Sequence, residues 1–561
     1  MSHETEVLER GDRLDRAAKQ VTLNLLWIVP LVVVPIAFYA RAFHGLFHGE
    51  AIAAAQAARE IAHGHGFATL WAYPIEVALR GGHFPRPDFF QAPFYPLVLA
   101  IFFGAFSPGD NVAAAVSLLF LVATGFVIFR LADRAFGRTA AVLGVVFYVL
   151  GLQTLLLGVS GGRATLAMFL VTLAALLLCA PDCTARRAGA AGAVLSLAYL
   201  TDTSNLVLVI PFGLFALYLG GPGRRRRLAL FAVAFVMVAA AWWVRNAAAA
   251  GDPFYSLRHY WAMMFVPTHP GQTLYRSTDT GALNVWAFLI HNPREVVRKI
   301  VMGLLGLYTN VPRSYGLYIV AFFIAGALQP LQEPHTRLLR KCLYLALALQ
   351  VLLAAAQNAN ADFASSLLPL VMVFAAGFFV YLLQRLGARA ARGWAVAAFL
   401  ALAAYPLLVA LAAPGTAIPP NVSTQNLEYL QHALPAGTVV ASDVPWAVAW
   451  YAKRPAVMLP LERRDFEAAD KGAQIGAIYL SYWLQTWSGQ EEPQPWMLME
   501  RDDRYLLPGF VRAWPRSQAP GEALFVTKKI AARLPIPPPG GGQPSEAPTA
   551  PLAPVSGPPG P

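Results

Sequence analysis

The chain of 561 residues is 57% hydrophobic and only 13% charged. A soluble globular protein carries about 25% charged residues, so this composition excludes an ordinary soluble fold. The formal net charge of +12 does not indicate nucleic-acid binding, because the arginines form short clusters between apolar runs rather than a basic face interleaved with aromatic residues. The composition therefore predicts an integral membrane protein that contacts the lipid bilayer and no nucleic acid.

The N-terminal segment Met1–Gln20 mixes acidic and basic residues and lacks the apolar core and cleavage site of a signal peptide. We therefore predict a cytoplasmic tail over residues 1–20, followed by an uncleaved first membrane span. The three cysteines fall at the ends of apolar runs on the predicted cytoplasmic side, without the C-x-x-C spacing of a zinc site. Neither a disulfide framework nor a metal site is predicted from them. They are Cys179, Cys183 and Cys342.

About eleven apolar runs approach the length that crosses roughly 30 Å of hydrocarbon, and they predict an all-α polytopic membrane domain over residues 21–413. The five short loops on one side hold fifteen Arg or Lys residues, whereas the short loops on the other side hold one, Arg163. The positive-inside rule therefore places the N-terminus in the cytoplasm and the C-terminus outside. The predicted spans are 21–40, 111–130, 139–158, 164–181, 188–202, 204–220, 228–245, 314–331, 342–356, 365–384 and 394–413.

Two long external loops are predicted, over residues 41–110 and 246–313. Each contains a stretch that is too short to span the bilayer, Phe94–Phe106 in the first and Pro293–Leu307 in the second. We expect both stretches to form interfacial or re-entrant helices.

After residue 413 the composition becomes that of a soluble domain. A capped amphipathic helix over Thr424–Leu434 and four short β-type runs predict a small extracytoplasmic α/β domain over residues 414–533. The predicted strands are Thr438–Ala441, Ala456–Leu459, Ile475–Ser481 and Ala523–Thr527. The remaining stretch, 534–561, is rich in Pro, Gly, Ala and Ser and predicts a disordered tail.

The ionisable residues of the membrane domain gather at the outer ends of the predicted spans, whose interiors are nearly free of charge. A transporter more often has paired halves, interrupted helices and charges at mid-membrane. The large segments on one side therefore favour an active site at the outer interface. The ionisable residues there are Glu50, Arg163, Asp202, Arg245 and Asp362.

Four segments carry recognisable motifs. Glu50–Phe67 has an acidic residue at the head of a helix and ends in a Gly-x-Gly-aromatic turn. The others are Gln91-Ala-Pro-Phe-Tyr-Pro-Leu97, then Trp242-Trp-Val-Arg-Asn246 followed by Gly251-Asp-Pro253, and finally Val439–Leu459. In this order the segments resemble GT-C glycosyltransferases, and among them the bacterial family 39 relatives of protein O-mannosyltransferases and aminoarabinose transferases. The resemblance covers most of residues 20–530.

This resemblance implies a GT-C fold and transfer of a sugar from a polyprenyl-phosphate carrier to an acceptor at the outer face of the bacterial plasma membrane. It also implies an inverting reaction without a metal or other cofactor. Because polyprenyl phosphate is a good leaving group, a carboxylate that deprotonates the acceptor hydroxyl and cations that hold the phosphate would suffice. The partners would be the lipid-linked sugar donor and a protein, lipid or glycan acceptor.

Glu50 takes the place of the family's catalytic aspartate, although a register shifted by one residue would put Gly49 there. In the alternative interpretation, Glu50 only stabilises the positive end of a helix. Arg245 would bind phosphate through its guanidinium fork or anchor a span at the interface. Arg163 would bind phosphate or pair with Glu50. The further candidates for substrate binding are Asn246, Tyr95 and His48.

Two positions depart from the family's pattern. Relatives often carry Lys or Arg after the fifth span and before the tenth, where this chain has Thr201-Asp202-Thr203 and Asn360-Ala-Asp-Phe363. Two expected phosphate-binding cations are thus replaced. An alternative function is therefore a catalytically degenerate relative that acts as a membrane scaffold in envelope assembly. A transporter of a lipid-linked substrate is a third alternative, which the one-sided loops disfavour.

Overall fold

The computed structural model describes residues 25, 27–180, 182–219, 223–358, 361–412, 422–486, 494–514 and 521–534. The predicted cytoplasmic tail and all but the first residue of the predicted C-terminal tail lie outside these ranges. The side chains of residues 361–363 also lie outside the description, and with them the predicted position of Asp362 at the outer interface.

Five of the described helices are long and apolar enough to cross a membrane, and the number rises to seven if each of two bent pairs counts as one span. The bent pairs are Arg138–Leu150 with Leu152–Val159, at 63°, and Pro293–Pro312 with Leu317–Leu328, at 102°. The prediction of about eleven crossings is therefore not confirmed. The five long helices are Asp110–Phe136, Arg224–Ala250, Pro334–Gln357, Ala364–Arg385 and Arg389–Ala412.

Shorter apolar helices account for the difference. Each predicted span overlaps a helix. However, each of the shorter apolar helices has at most 17 residues. A helix of that length is about 25 Å long, less than the roughly 30 Å of a hydrocarbon core. The shorter helices are Trp27–Ala42, Ala164–Leu178, Ala185–Thr201 and Thr203–Tyr218, the last of which begins as a 3₁₀ turn.

A six-stranded sheet forms the core of the C-terminal part. The four predicted strands are present to within one residue, whereas Trp71–Ala72 and Phe510–Arg512 were not predicted, because such short strands show no alternation. The first four strands of the sheet run parallel and the last two join antiparallel. Their order is Trp71–Ala72, Ala456–Met458, Val439–Ser442, Ile475–Leu480, Ala523–Thr527 and Phe510–Arg512.

One helix of the C-terminal part was predicted from its cap, and two further helices were not predicted. Thr424–Ala433 begins after Ser423, whose hydroxyl accepts a hydrogen bond from the main-chain N–H of Asn426. Arg463–Ala473 and Gln494–Arg501 share a buried apolar cluster with the sheet.

The two long loops that were predicted to be external are largely structured. The first contains a two-stranded antiparallel ribbon, Ala68–Thr69 with Arg86–Pro87, in addition to its helices. The predicted interfacial stretches form the helices Phe94–Ala105 and Pro293–Tyr315. The remaining helices of the loops are Gly49–Ala62, Pro74–Arg80, Leu257–Met263, Thr273–Arg276, Thr280–Ala282 and Val285–His291.

Among the polar side chains that connect the C-terminal part to the rest of the molecule, two hold the segment around Trp450. Arg59 of the first loop donates hydrogen bonds to the main-chain carbonyls of Trp450 and Ala449, both at 2.7 Å. Asp110, the first residue of a membrane helix, accepts hydrogen bonds from Trp450 Nε1 at 2.8 Å and Tyr451 Oη at 2.7 Å. The segment around Trp450 is therefore held from two sides, and Trp71 of the first loop adds a strand to the sheet.

A close helix contact stabilises the membrane domain. Gly192 faces the helix Arg224–Ala250 so closely that a Cβ atom would lie 2.1 Å from the carbonyl oxygen of Phe231. At Gly189, on the same helix, the nearest atoms belong to Leu230 and lie 3.6 Å away. Small residues allow membrane helices to approach in this way.

We therefore expect Gly192→Ala to destabilise the protein by about 1–3 kcal/mol, since the added methyl group forces two backbones apart. Gly189→Ala, which keeps ordinary van der Waals contact, should leave the stability unchanged or raise it slightly through helix propensity. Thermal unfolding in detergent measures both variants. Equal melting temperatures for the two would contradict the close contact.

Candidate active site

The N-terminus of helix Gly49–Ala62 places Glu50 against the membrane domain. Glu50 lies in the first turn, where a carboxylate suits the positive end of the helix dipole. Gly49 lies so close to Trp446 that a Cβ atom would be 2.8 Å from the indole ring. Position 49 therefore has no room for a side chain without a shift of the indole, and Glu50 is the residue whose carboxylate reaches the site.

Two arginines hold the Glu50 carboxylate. Arg163 Nη1 lies 2.5 Å from Glu50 Oε2, and its Nε donates a hydrogen bond to Asp202 Oδ2 at 2.7 Å. Arg258 Nη2 donates to Glu50 Oε1 at 3.2 Å, while its Nε donates to the main-chain carbonyl of Phe90 at 2.9 Å. The cluster thus contains two carboxylates and two guanidinium groups, whose formal charges balance.

The arginines set the charge state of Glu50. Burial on its own raises the pKa of Glu50, but the attraction of Arg163 and Arg258 outweighs burial and brings the pKa below its ordinary value. The carboxylate is therefore ionised at neutral pH. Its side chain is 46% exposed, because it faces a cavity rather than packed protein.

The cavity beside Glu50 has a volume of about 360 Å³. Arg163 and Asp202 line it together with Glu50, whereas Arg258, whose side chain is 5% exposed, supports Glu50 from behind. Much of the remaining wall is aromatic. The aromatic residues are Trp71, Tyr73, Phe90, Tyr95, Trp261 and Trp446.

A polar network lines another part of the cavity. Asn205 and Ser366 both contact it, and Ser366 Oγ donates to Asn205 Oδ1 at 2.8 Å. Gln350 of the membrane helix Pro334–Gln357 donates from Nε2 to Asn205 Oδ1 at 3.0 Å and to Ser366 Oγ at 3.1 Å. These hydrogen bonds fix two 3₁₀ turns to each other beside the site. The turns are Thr203–Leu208 and Ala361–Leu367.

Four of the sequence-predicted residues meet at this cavity: Glu50, Arg163, His48 and Tyr95. His48 precedes the helix of Glu50. Tyr95 is fully buried, and its hydroxyl donates to the main-chain carbonyl of Gly161 at 2.6 Å. That hydroxyl already has a partner within the fold, so the ring of Tyr95 is the part that faces the cavity.

The other two predicted residues lie outside the cavity lining. Arg245 donates to the main-chain carbonyls of Asp88 at 2.9 Å and Phe67 at 3.2 Å, and stacks on nearby aromatic rings. Asn246 accepts from Arg245 and donates to the carbonyl of Tyr255 at 3.3 Å. These contacts connect the two external loops. A phosphate-binding role for the pair stays a prediction.

Sequence reasoning missed Arg258 and Trp446. Arg258 lies in the second loop, where no motif marked a position, and Trp446 lies in the C-terminal part. Asp202 was noted among the ionisable residues at the outer interface and as a departure from the family's pattern, but it was not given a role in the site. A signal for it existed, because an acidic residue at a span end needs a partner and Arg163 was the nearby charge of opposite sign.

The described residues contain no group of three or more His, Cys, Asp or Glu side chains placed to hold a metal ion. At the cavity, the two carboxylates instead bind the guanidinium of Arg163. Metal independence of the reaction remains a prediction from the resemblance.

The sequence matches no protein-family model and no curated protein. Solved structures are similar to it. The crystal structure of an Archaeoglobus fulgidus oligosaccharyltransferase with Zn and sulfate matches 90% of this chain and 76% of its own, with a TM-score of 0.55 and 14% identity. The same archaeal protein, AglB, with an inhibitory peptide and a dolichol-phosphate matches 87% of this chain and 73% of its own, with a TM-score of 0.54 and 14% identity. ArnT from Cupriavidus metallidurans bound to undecaprenyl phosphate matches 90% of this chain and 99% of its own, at a TM-score of 0.44 and 15% identity.

This chain has the GT-C glycosyltransferase fold. The GT-C fold expected from the motif order is thereby confirmed. A mostly helical membrane protein with a small sheet-containing part is confirmed as well.

Proposed function

We propose that the protein is a membrane glycosyltransferase that moves a sugar from a polyprenyl-phosphate donor to an acceptor at the outer face of the bacterial plasma membrane. The observation that carries this proposal is the ionised carboxylate of Glu50, held by Arg163 and Arg258 at the edge of an aromatic-lined cavity. The GT-C fold supports the same reaction class.

Glu50 is the general base in this proposal. The acceptor hydroxyl gives its proton to the carboxylate while its oxygen attacks the anomeric carbon from the side opposite the phosphate. The bond to the phosphate oxygen breaks, and polyprenyl phosphate leaves with the bonding electrons. The configuration at the anomeric carbon is inverted, and no general acid is needed.

Arg163 is the proposed phosphate contact, because it lines the cavity and a guanidinium binds phosphate oxygens in a fork. The archaeal oligosaccharyltransferase of the same fold has been solved with a dolichol-phosphate and a peptide, which supports a lipid phosphate donor and an acceptor here. Because the donor carries its own leaving group, polyprenyl phosphate, the proposal requires no metal or cofactor.

A second candidate function is a catalytically degenerate scaffold for envelope assembly. It is favoured by the charge balance of the cluster, because Arg163 and Arg258 both already pair with carboxylates. A phosphate at Arg163 would have to compete with Glu50 and Asp202. The transporter remains the least favoured alternative.

The first test is transfer of radiolabelled sugar from a panel of polyprenyl-phosphate sugars. We expect Glu50→Gln to lower the rate by about 10²–10⁴-fold, since the amide cannot accept the proton. The matched control is Glu60→Gln on the same helix, whose carboxylate contacts Gln56 and His65 and lies outside the cavity lining. This variant should retain transfer.

Unchanged activity of Glu50→Gln would remove Glu50 as the base but keep the transferase. Absence of transfer by the wild-type protein with every donor, in a preparation that unfolds cooperatively, would favour the scaffold.

The pH dependence of transfer tests whether Arg258 lowers the pKa of Glu50. The base works only when ionised, so activity falls as the pH drops through the pKa of Glu50. Because Arg258 helps to lower that pKa, Arg258→Gln should raise it and move the acidic limb of the kcat/KM profile to higher pH. Arg80→Gln is the control, since Arg80 also stacks on aromatic rings but does not contact Glu50. An acidic limb that stays in place in Arg258→Gln would exclude this coupling.

A further inference from the structure

Two residues that line the cavity each carry a buried neutral N–H donor without a hydrogen-bond partner in the described part of the chain. The donors are Nε2 of Gln91 and Nε1 of Trp71, and each of these residues is only 3% exposed. Buried donors in folded proteins are nearly always paired, because an unpaired donor loses its hydrogen bonds to water without replacement. Two such donors beside one cavity indicate a ligand that supplies acceptor atoms.

The backbone around both donors is fixed. The main-chain N–H of Gln91 donates to Asp88 Oδ1 at 2.9 Å, and that of Trp71 donates to Thr69 Oγ1 at 3.2 Å. Trp71 also belongs to the six-stranded sheet, where it pairs with Ala456. Donors on a rigid frame lose little entropy when a ligand binds.

The surroundings of the donors indicate the chemistry of that ligand. The Trp71 ring lies edge-on to Tyr73 at 5.1 Å and to Trp446 at 6.0 Å, so aromatic surface adjoins the donors. The donors carry no charge, whereas the charged groups of the site collect around Glu50 and Arg163. Neutral donors beside aromatic faces suit the hydroxyl oxygens and C–H faces of a carbohydrate better than a phosphate group, which the guanidinium attracts.

We propose that the Gln91 carboxamide and the Trp71 indole donate hydrogen bonds to hydroxyl oxygens of the transferred sugar and thus form a sugar subsite beside Glu50. This inference rests on the proposed glycosyltransferase function and adds the residues that recognise the sugar. The C-terminal part also contributes to this subsite, because its Trp446 ring contacts the Trp71 ring.

The test compares the binding of two ligands to the full-length protein in lipid nanodiscs. One is the radiolabelled polyprenyl-phosphate sugar of the donor panel that binds most tightly, and the other is polyprenyl phosphate without a sugar. We expect Gln91→Leu and Trp71→Phe each to raise the Kd of the sugar-bearing ligand about 5-fold, the worth of one neutral hydrogen bond. The Kd of the sugar-free ligand should not change.

The matched control is Trp27→Phe. Trp27 is 5% exposed, stacks on Phe129 at 4.2 Å and has an Nε1 without a partner among the described residues, but it does not line the cavity. This variant should leave the Kd of both ligands unchanged. A loss of sugar affinity in Trp27→Phe equal to that in Trp71→Phe would overturn the proposal.

Thermal unfolding without ligand separates recognition from a structural role. Because both donors lack a partner among the described residues, Gln91→Leu and Trp71→Phe should keep the wild-type melting temperature or exceed it. A lowered melting temperature together with an equal loss of affinity for both ligands would show a structural role and refute the subsite.

The subsite and the proposed function can fail separately. Sugar-selective binding that depends on Gln91 and Trp71, in a protein that transfers no sugar, would refute the glycosyltransferase and support the subsite. Active transfer by variants that keep full selectivity for the sugar-bearing ligand would refute the subsite and leave the glycosyltransferase intact.

Discussion

The site depends on the balance of two carboxylates and two guanidinium groups at the cavity. Opposite charges at hydrogen-bonding distance attract each other, and the side chains of Arg163, Asp202 and Arg258 are largely shielded from solvent. Glu50, Arg163, Asp202 and Arg258 come from the first external loop, two membrane-helix ends and the second external loop. Each charge therefore holds a separate segment in place, and the cavity exists only where these segments meet.

The C-terminal part completes the same cavity from a distant region of the sequence. Trp446 packs on Gly49 and faces the Trp71 ring, while Arg59 and Asp110 hold the neighbouring segment by hydrogen bonds. These bonds join side chains to main-chain carbonyls or to indole and phenol groups. Because such bonds are directional, they fix the orientation of the Trp446 segment more narrowly than apolar contact alone would. The C-terminal part thus forms one wall of the site.

Local patterns predicted those features that depend on neighbouring residues. The amphipathic helix after Ser423, four strands of the sheet and the acidic residue at the head of the helix Gly49–Ala62 all follow from capping, alternation or motif order. The strand at Trp71 and the contact of Arg258 with Glu50 could not be predicted, because both depend on pairing between residues far apart in the sequence. Hydropathy also placed helices correctly but could not separate a complete crossing from a short or bent one.

Charge balance also bears on how a weak base can act. Glu50 in the free protein is a poor proton acceptor, because Arg163 and Arg258 lower its pKa. A phosphate that binds Arg163 competes with Glu50 for the same guanidinium and brings a second negative charge close to the carboxylate. Both effects raise the pKa of Glu50 and make the carboxylate a stronger base. The base would then gain strength only when the donor is in place. The pairing of Arg163 with Glu50, which favours a scaffold, is therefore equally compatible with a glycosyltransferase whose base is activated when the donor binds.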